Sequence, residues 1–269
     1  MIIILSTTFV TFIDYFLMFF EFLLIHWQTI LLFLIIAILY SSVGFGGGSS
    51  YLAVLAITTL AYTSIRSTAL LCNIVVVSGN VYLFQKNKLI DWKKVLPLVA
   101  FSIPAAFLGG LLRVNQSAFF IILGTTLLIA SFFMIFLQKK SSEENTKNIV
   151  VKNISFGSII GFISGLVGIG GGIFLAPLLH LTNWSSSKKI AAAASFFILA
   201  NSIAGLFGQI VNPDFKIEWK LTLMLLITVF IGGQIGSRLS NKLLSPTQLK
   251  RITAILVAFV GIKILLKYI

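Results

Sequence analysis

Charge is scarce in this chain: Asp, Glu, Lys and Arg make up 10% of its 269 residues, against about 25% in a soluble domain. A soluble fold would not have enough polar surface to cover 58% hydrophobic residues and a mean hydropathy of +1.06. The sequence is therefore that of a multi-pass protein of a cell (inner or plasma) membrane, with the lipid bilayer as its first partner. Acidic residues are the rarest charges, seven against twenty basic ones. The resulting net charge of +13 reads as the Lys/Arg excess of cytoplasmic loops. No basic run is interleaved with aromatics, which argues against nucleic acid. The single cysteine, Cys72, excludes an internal disulfide or redox pair. The two histidines, His26 and His180, have no second ligand at i+3 or i+4, so no metal site is expected. There is no Walker sequence, no strand-flanked dinucleotide fingerprint and no Ser/His/Asp arrangement in an exposed loop, so neither catalytic residues nor cofactors are expected. The first apolar stretch has no basic residue before it and makes a poor signal peptide. Short alternating segments of the β-barrel kind are absent too, which leaves an all-α fold.

Long apolar runs interrupted by glycine are what the chain does have. They fall near 2–25, 28–43, 47–62, 67–85, 95–112, 117–137, 153–168, 171–183, 190–209, 219–240 and 248–268. Val43-Gly44-Phe45-Gly46-Gly47-Gly48 recurs 124 residues later as Val167-Gly168-Ile169-Gly170-Gly171-Gly172. Other features repeat as well. Arg66 corresponds to Lys189, Asp91-Trp92 to Glu218-Trp219, and Gly109-Gly110 to Gly232-Gly233, while Asn73 and Asn201 fall in equivalent helices. The chain reads as an internal duplication. An extra hydrophobic or amphipathic helix over 1–27 precedes a first transmembrane repeat at 28–138. A polar cytoplasmic linker at 139–152 then leads to a second repeat at 153–269.

Each repeat has five apolar segments, an odd number, which inverts the second repeat relative to the first. That arrangement puts fourteen of the twenty basic residues on one face and six on the other, making the richer face cytoplasmic. The expected fold is a polytopic helical bundle of two homologous, inverted repeats, each carrying a glycine-broken helical hairpin.

Broken backbone is tolerated at membrane depth only where protein or a water-filled cavity covers it. Two such breaks at corresponding places point to a transporter's binding site. Helices starting near Gly47 and Gly171 would aim free N–H groups and positive dipole ends at the membrane centre, an anion-binding arrangement. The candidate site is therefore Gly44, Phe45, Gly46, Gly47, Gly48, Ser49 and Ser50 at the first tip, and Gly168, Gly170, Gly171 and Gly172 at the second, with Asn73 and Asn201 beside them. Tight helix packing by small residues is the plainer reading of the same glycines.

Arg66 and Lys189 are candidate access charges that guide an anion in or out; ordinary snorkelling is their plainer role. All twenty basic residues fall at expected helix ends or loops, so the site should hold its anion without a buried Arg or Lys. Gln85, Gln209 and Gln234 read as helix-end or interhelical contacts. Thr7, Asp14, Glu21 and Gln28 share one helical stripe, which makes Asp14 and Glu21 candidates for proton coupling.

The glycine runs in SSVGFGGGSSYLAVL and SGLVGIGGGIFLAPLL, the two homologous halves and the chain length resemble the sulfite exporter TauE/SafE family of membrane permeases, over residues 30–268. The resemblance implies a small anionic solute containing sulfur, such as sulfite, sulfonates or sulfoacetate. The expectation is thus a secondary transporter, an exporter working by alternating access around the two tips. A passive anion channel and a non-transport membrane assembly protein are the alternatives. A homodimer is a further expected partner.

Overall fold

The computed structural model describes residues 2–136, 146–182, 184–239 and 246–269. Within these, the side chains of 2–20, 146–154, 180, 181, 246, 249 and 250 lie outside the described set, as does most of the expected linker. The described residues form ten helices, five in each half. The first half holds α1 (Ile2–Ser42), α2 (Gly48–Ala56), α3 (Tyr62–Lys86), α4 (Trp92–Leu111) and α5 (Gln116–Phe136). The second holds α6 (Thr146–Val167), α7 (Gly172–Leu181), α8 (Ser187–Val211), α9 (Trp219–Arg238) and α10 (Pro246–Tyr268). Six stretches among the described residues are long and apolar enough to cross a membrane: Glu21–Ser42, α3, α4, α5, α8 and α9. The helix α1 runs without a break through residues 27 and 28. Neither His26 nor Gln28 is a helix breaker, and the apolar run continues on both sides.

The duplication extends to backbone detail. Asp91 and Glu218, each just before a Trp-initiated helix, have φ/ψ of −87°/88° and −84°/84°. Gly44 and Gly168 lie at φ 86° and 92°, Gly47 and Gly171 at 84° and 82°. The turns close through equivalent hydrogen bonds, Phe45 N to Tyr40 O (2.8 Å) and Ile169 N to Ser164 O (3.2 Å). Each break thus ends one helix and starts a short one, α2 or α7, of nine or ten residues. At about 1.5 Å per residue these cover roughly half the bilayer core.

Helix contacts obey the same exchange. The pair α4–α6 is matched by α9–α1, α4–α8 by α9–α3, α2–α3 by α7–α8, and α2–α10 by α7–α5. Two further extensive pairs, α3–α8 and α5–α10, each join a helix to its own equivalent. Both run antiparallel. In α5–α10, Gln116 Nε2 meets the Tyr268 hydroxyl at 3.5 Å, and Ser131 Oγ donates to Ala254 O at 2.9 Å. In α3–α8, Ser67 Oγ donates to Gln209 Oε1 at 3.2 Å near one end, while Phe84 and Ala191 both crowd Gly44 near the other.

In lipid, helices associate through close packing rather than through expulsion of water. Glycine supplies it here. A Cβ on Gly161 would lie 2.6 Å from Ser102 O, and Gly165 and Gly110 rest on the carbonyls of Ala106 and Gly205, joining α4, α6 and α8. On the equivalent seam, Gly232 and Gly236 rest on Ala37 and Ile38 of α1. Around α1, α2, α3, α5, α9 and α10 lies one apolar core, with Phe33 stacked on Tyr51 at 4.7 Å. A second core joins α4, α6, α7 and α8.

Candidate functional site

The two glycine turns meet at Asn73. This residue is the twelfth of the 25 in α3, close to its midpoint, and is fully buried. Its amide nitrogen donates to Ile169 O of the second turn at 3.0 Å. A Cβ on Gly46 would lie 2.6 Å from its Oδ1, and one on Gly170 would lie 2.6 Å from its Nδ2. Gly48, the first residue of α2, sits against both the Asn73 amide and the Ile169 carbonyl. Glycine is therefore required at these positions by close backbone approach, and at Gly47 and Gly171 by the left-handed turn that starts each half-helix. These tip glycines act differently from the packing glycines of the helix seams.

Further side chains fix the turns. Asn80 Nδ2 donates to Phe45 O at 3.3 Å and its Oδ1 accepts from Ser41 Oγ at 2.9 Å. The Ser195 hydroxyl of α8 donates to Gly44 O. Ser50 is engaged by the Tyr40 hydroxyl at 2.7 Å, which also donates to Thr253 of α10 at 2.6 Å. Ser49 is buried at the same half-helix start.

Asn201 occupies the helix equivalent to that of Asn73 but not the equivalent place. Gly46 touches Asn73 and Val77 where Gly170 touches Ile198 and Ser202; Gly48 touches Asn73 where Gly172 touches Ile198. The structural counterpart of Asn73 is thus Ile198. Asn201 instead donates to Ser102 Oγ of α4 at 3.0 Å and to Phe197 O at 2.8 Å. The site is asymmetric, with its central amide supplied by α3 alone.

Arg66 departs from expectation in the same way. The backbone of Arg66 lies against Gly168 where Ala191 lies against Gly44, so its counterpart is Ala191 rather than Lys189. Lys189 is exposed, whereas Arg66 is 3% exposed. Its guanidinium donates to Gly110 O at 3.4 Å and Gly165 O at 3.3 Å, both long, and lies 5.9 Å from the Phe119 ring centre. Arg66 stands at a helix end, as the sequence suggested, but its side chain is buried in the protein rather than exposed. The charge sits in the first turns of α3, but α4, α5 and α6 enclose it. Glu21 and Gln28 are exposed on α1, and the side chains of Asp14 and Thr7 lie outside the described residues.

Several site residues were missed in the sequence, although a signal for them is there. Arg66, Asn73 and Asn80 recur at heptad spacing on α3, and Ser195, Ser202 and Gln209 do so on α8. Heptad spacing keeps residues on one helical stripe, with a drift of about 20° per repeat. All six are buried. Because the helices are antiparallel, Arg66 stands at the Gln209 end, Asn73 and Ser202 share Gly170, and Asn80 and Ser195 hold the first turn. The result is a continuous polar ribbon along the α3–α8 seam, rising about 21 Å over fourteen residues. The Asn73 Oδ1 and Ser202 Oγ atoms are buried there without partners, as are Ser164 Oγ on α6 and Asn201 Oδ1 on α8 outside the ribbon.

A model of the sulfite exporter TauE/SafE family matches residues 29–264. The chain belongs to that family. It is 30% identical over 242 residues to the probable membrane transporter protein y4hK of Sinorhizobium fredii, a match spanning 87% of this chain and 95% of that protein. It is 28% identical over 267 residues to the probable membrane transporter protein MJ0441 of Methanocaldococcus jannaschii, spanning 92% and 98%. No solved structure matches it. This TauE/SafE member is accordingly a multi-pass protein of a membrane-transporter family, with its matched region running from the last third of α1 into α10.

Proposed function

We propose that the protein is a secondary transporter that exports small sulfur-containing anions such as sulfite, sulfonates or sulfoacetate by alternating access around the two glycine tips. The observation that carries this reading is the buried polar ribbon on α3 and α8, which meets the N-terminal ends of two half-helices at mid-depth. An anion there would be held by the free N–H groups of Gly48–Ser50 and of Gly172 and Ile173, helped by the dipole of each short helix. The Ser202 and Ser164 hydroxyls would add O–H donors. Turning Asn73 off Ile169 would free its amide N–H for the solute while releasing one tip from the other.

Inverted repeats fit the antiparallel pairing of α3 with α8 and of α5 with α10. Such a pair of bundles can rock about a fixed central site. A negative interior drives each anionic charge outward with about 2.3 kcal/mol per 100 mV, so export needs neither ATP nor an enzymatic step. The test is sulfite flux in proteoliposomes under an imposed potential. Saturation, together with acceleration of labelled sulfite efflux by unlabelled sulfite on the far side, is expected. Flux that is linear in concentration and shows no such exchange would make the protein a channel, and no sulfite-dependent flux would sink the reading.

A further inference from the structure

A guanidinium taken out of water without a counter-charge is among the costliest arrangements a fold can hold. Arg66 is in that position. Its charge stays on at any physiological pH, yet no carboxylate among the described residues lies within ion-pair distance, and its Nε–H has no partner. It lines a small, half-open cavity between the first turns of α3, the last turn of α8 and the loop that follows. Gln209 faces the same cavity, 4% exposed, and its Nε2 likewise has no partner. Ser67 holds the other end of that amide, donating to Gln209 Oε1 at 3.2 Å. Thr63 and Asn212 complete the polar wall, Asn212 being tied to the loop by Asp214 N at 3.0 Å. Asp214 is exposed at the rim.

Two buried side chains that line one cavity, one of them charged, thus each keep a donor, Arg66 Nε and Gln209 Nε2, with nothing to accept from it. We infer that this cavity is a discrete oxyanion-binding site: a small anion with at least two terminal oxygens, of the sulfite, sulfate or sulfonate kind, accepts from the Arg66 guanidinium edge and from Gln209 Nε2. The planar fork of arginine suits two oxygens of one oxyanion. The Asp214 carboxylate opposes such an anion and keeps its residence short. In placing a substrate-class anion at one end of the ribbon, the inference rests on the transport reading, although the binding itself needs no flux. The half of the molecule related by the internal repeat has no such site, since Ala191 stands where Arg66 does.

The experiment is calorimetric titration of the purified full chain with sulfate, sulfite and ethanesulfonate at constant ionic strength, alongside proteoliposome flux. Wild type should bind an oxyanion in this cavity. Arg66→Gln should lose that class of sites, with Kd weaker by about 30-fold or more. Gln209→Leu, which keeps the charge and removes one donor, should weaken it about tenfold. Asp214→Asn should tighten it. Arg66→Met should raise the melting temperature of the anion-free protein, because it removes a buried unpaired charge. Unaltered affinity in Arg66→Gln or in Gln209→Leu, or no binding of any probe to wild type, would overturn the inference. If Arg66→Gln does not fold, Gln209→Leu decides alone. Binding lost in these variants with no flux in wild type would defeat the transport reading and leave the site standing. Flux with no Arg66-dependent binding would do the reverse.

Discussion

A carboxamide buried in a membrane needs partners for both its polar ends, and Asn73 has one for its nitrogen only. That half-satisfied state, at the meeting point of both turns, is what a residue that changes partners during a cycle requires. Replacing Asn73 with Leu removes the link to Ile169 O, which costs about 1 kcal/mol of stability, and leaves no amide for the solute. Sulfite flux should fall more than about tenfold, as loss of one such charged-solute contact implies, with normal amounts of folded protein in the membrane. Asn201→Ala is the control. Its amide reaches Ser102 and Phe197 rather than the turns, so it should lower the melting temperature while largely sparing flux. Equal flux loss in both variants would show that helix packing, and not the turn contact, limits transport.

The half-helices α2 and α7 depend on their first residues in two separable ways. At Gly47 and Gly171 the left-handed φ costs any L-residue roughly 1–2 kcal/mol, and a Cβ there meets side chains of the same half, Ile36 and Tyr51 or Phe197 and Ile160. Alanine at either position should therefore reduce stability by similar amounts, seen as matched drops in melting temperature. At Gly48 the φ is ordinary, but a Cβ would strike the Ile169 carbonyl and the Asn73 amide across the seam. Gly48→Ala should push the turns apart and abolish flux, whereas Gly47→Ala and Gly171→Ala, which leave the contact between the turns intact, should keep measurable flux despite their loss of stability. Were flux to follow stability in all three variants, the turns would be packing devices only.

These elements were largely legible in the sequence because lipid leaves the chain few choices. Every span must be an apolar helix, and every break must show as glycine in an apolar run. The duplicated glycine run marked both turns correctly. What the sequence concealed was register. Asn201 and Lys189 look like the repeats of Asn73 and Arg66, but the aligned helices place Ile198 and Ala191 there. Nor does a basic residue at a helix start disclose whether it faces lipid headgroups or, like Arg66, the backs of three other helices. The heptad stripes on α3 and α8 were present in the letters. Their meaning needed the antiparallel seam, which turns two separate stripes into one ribbon.

The fold as a whole is two five-helix units whose main helix pairs correspond when the units are exchanged, with each of α3 and α5 antiparallel to its equivalent. Two copies of a unit related in this way by a twofold axis lying in the membrane plane would present opposite faces to the cytoplasm, and the fourteen-to-six division of basic residues agrees with that placement. Lys93 and Lys220 test it most directly. Both are exposed and stand one residue after the Trp that begins α4 or α9, so they are equivalent in the two repeats. The native Cys72 is buried and should stay silent to a membrane-impermeant thiol reagent. In intact cells Lys220→Cys should label and Lys93→Cys should not; in inside-out vesicles the pattern should reverse. Inversion has a mechanical consequence as well. A conformation opening the α3 start of the seam to one side is matched, on exchange of the units, by one opening the α8 start to the other. If both cysteines label from the same side, the units are parallel, and rocking between states related by that twofold axis is no longer available as the transport step.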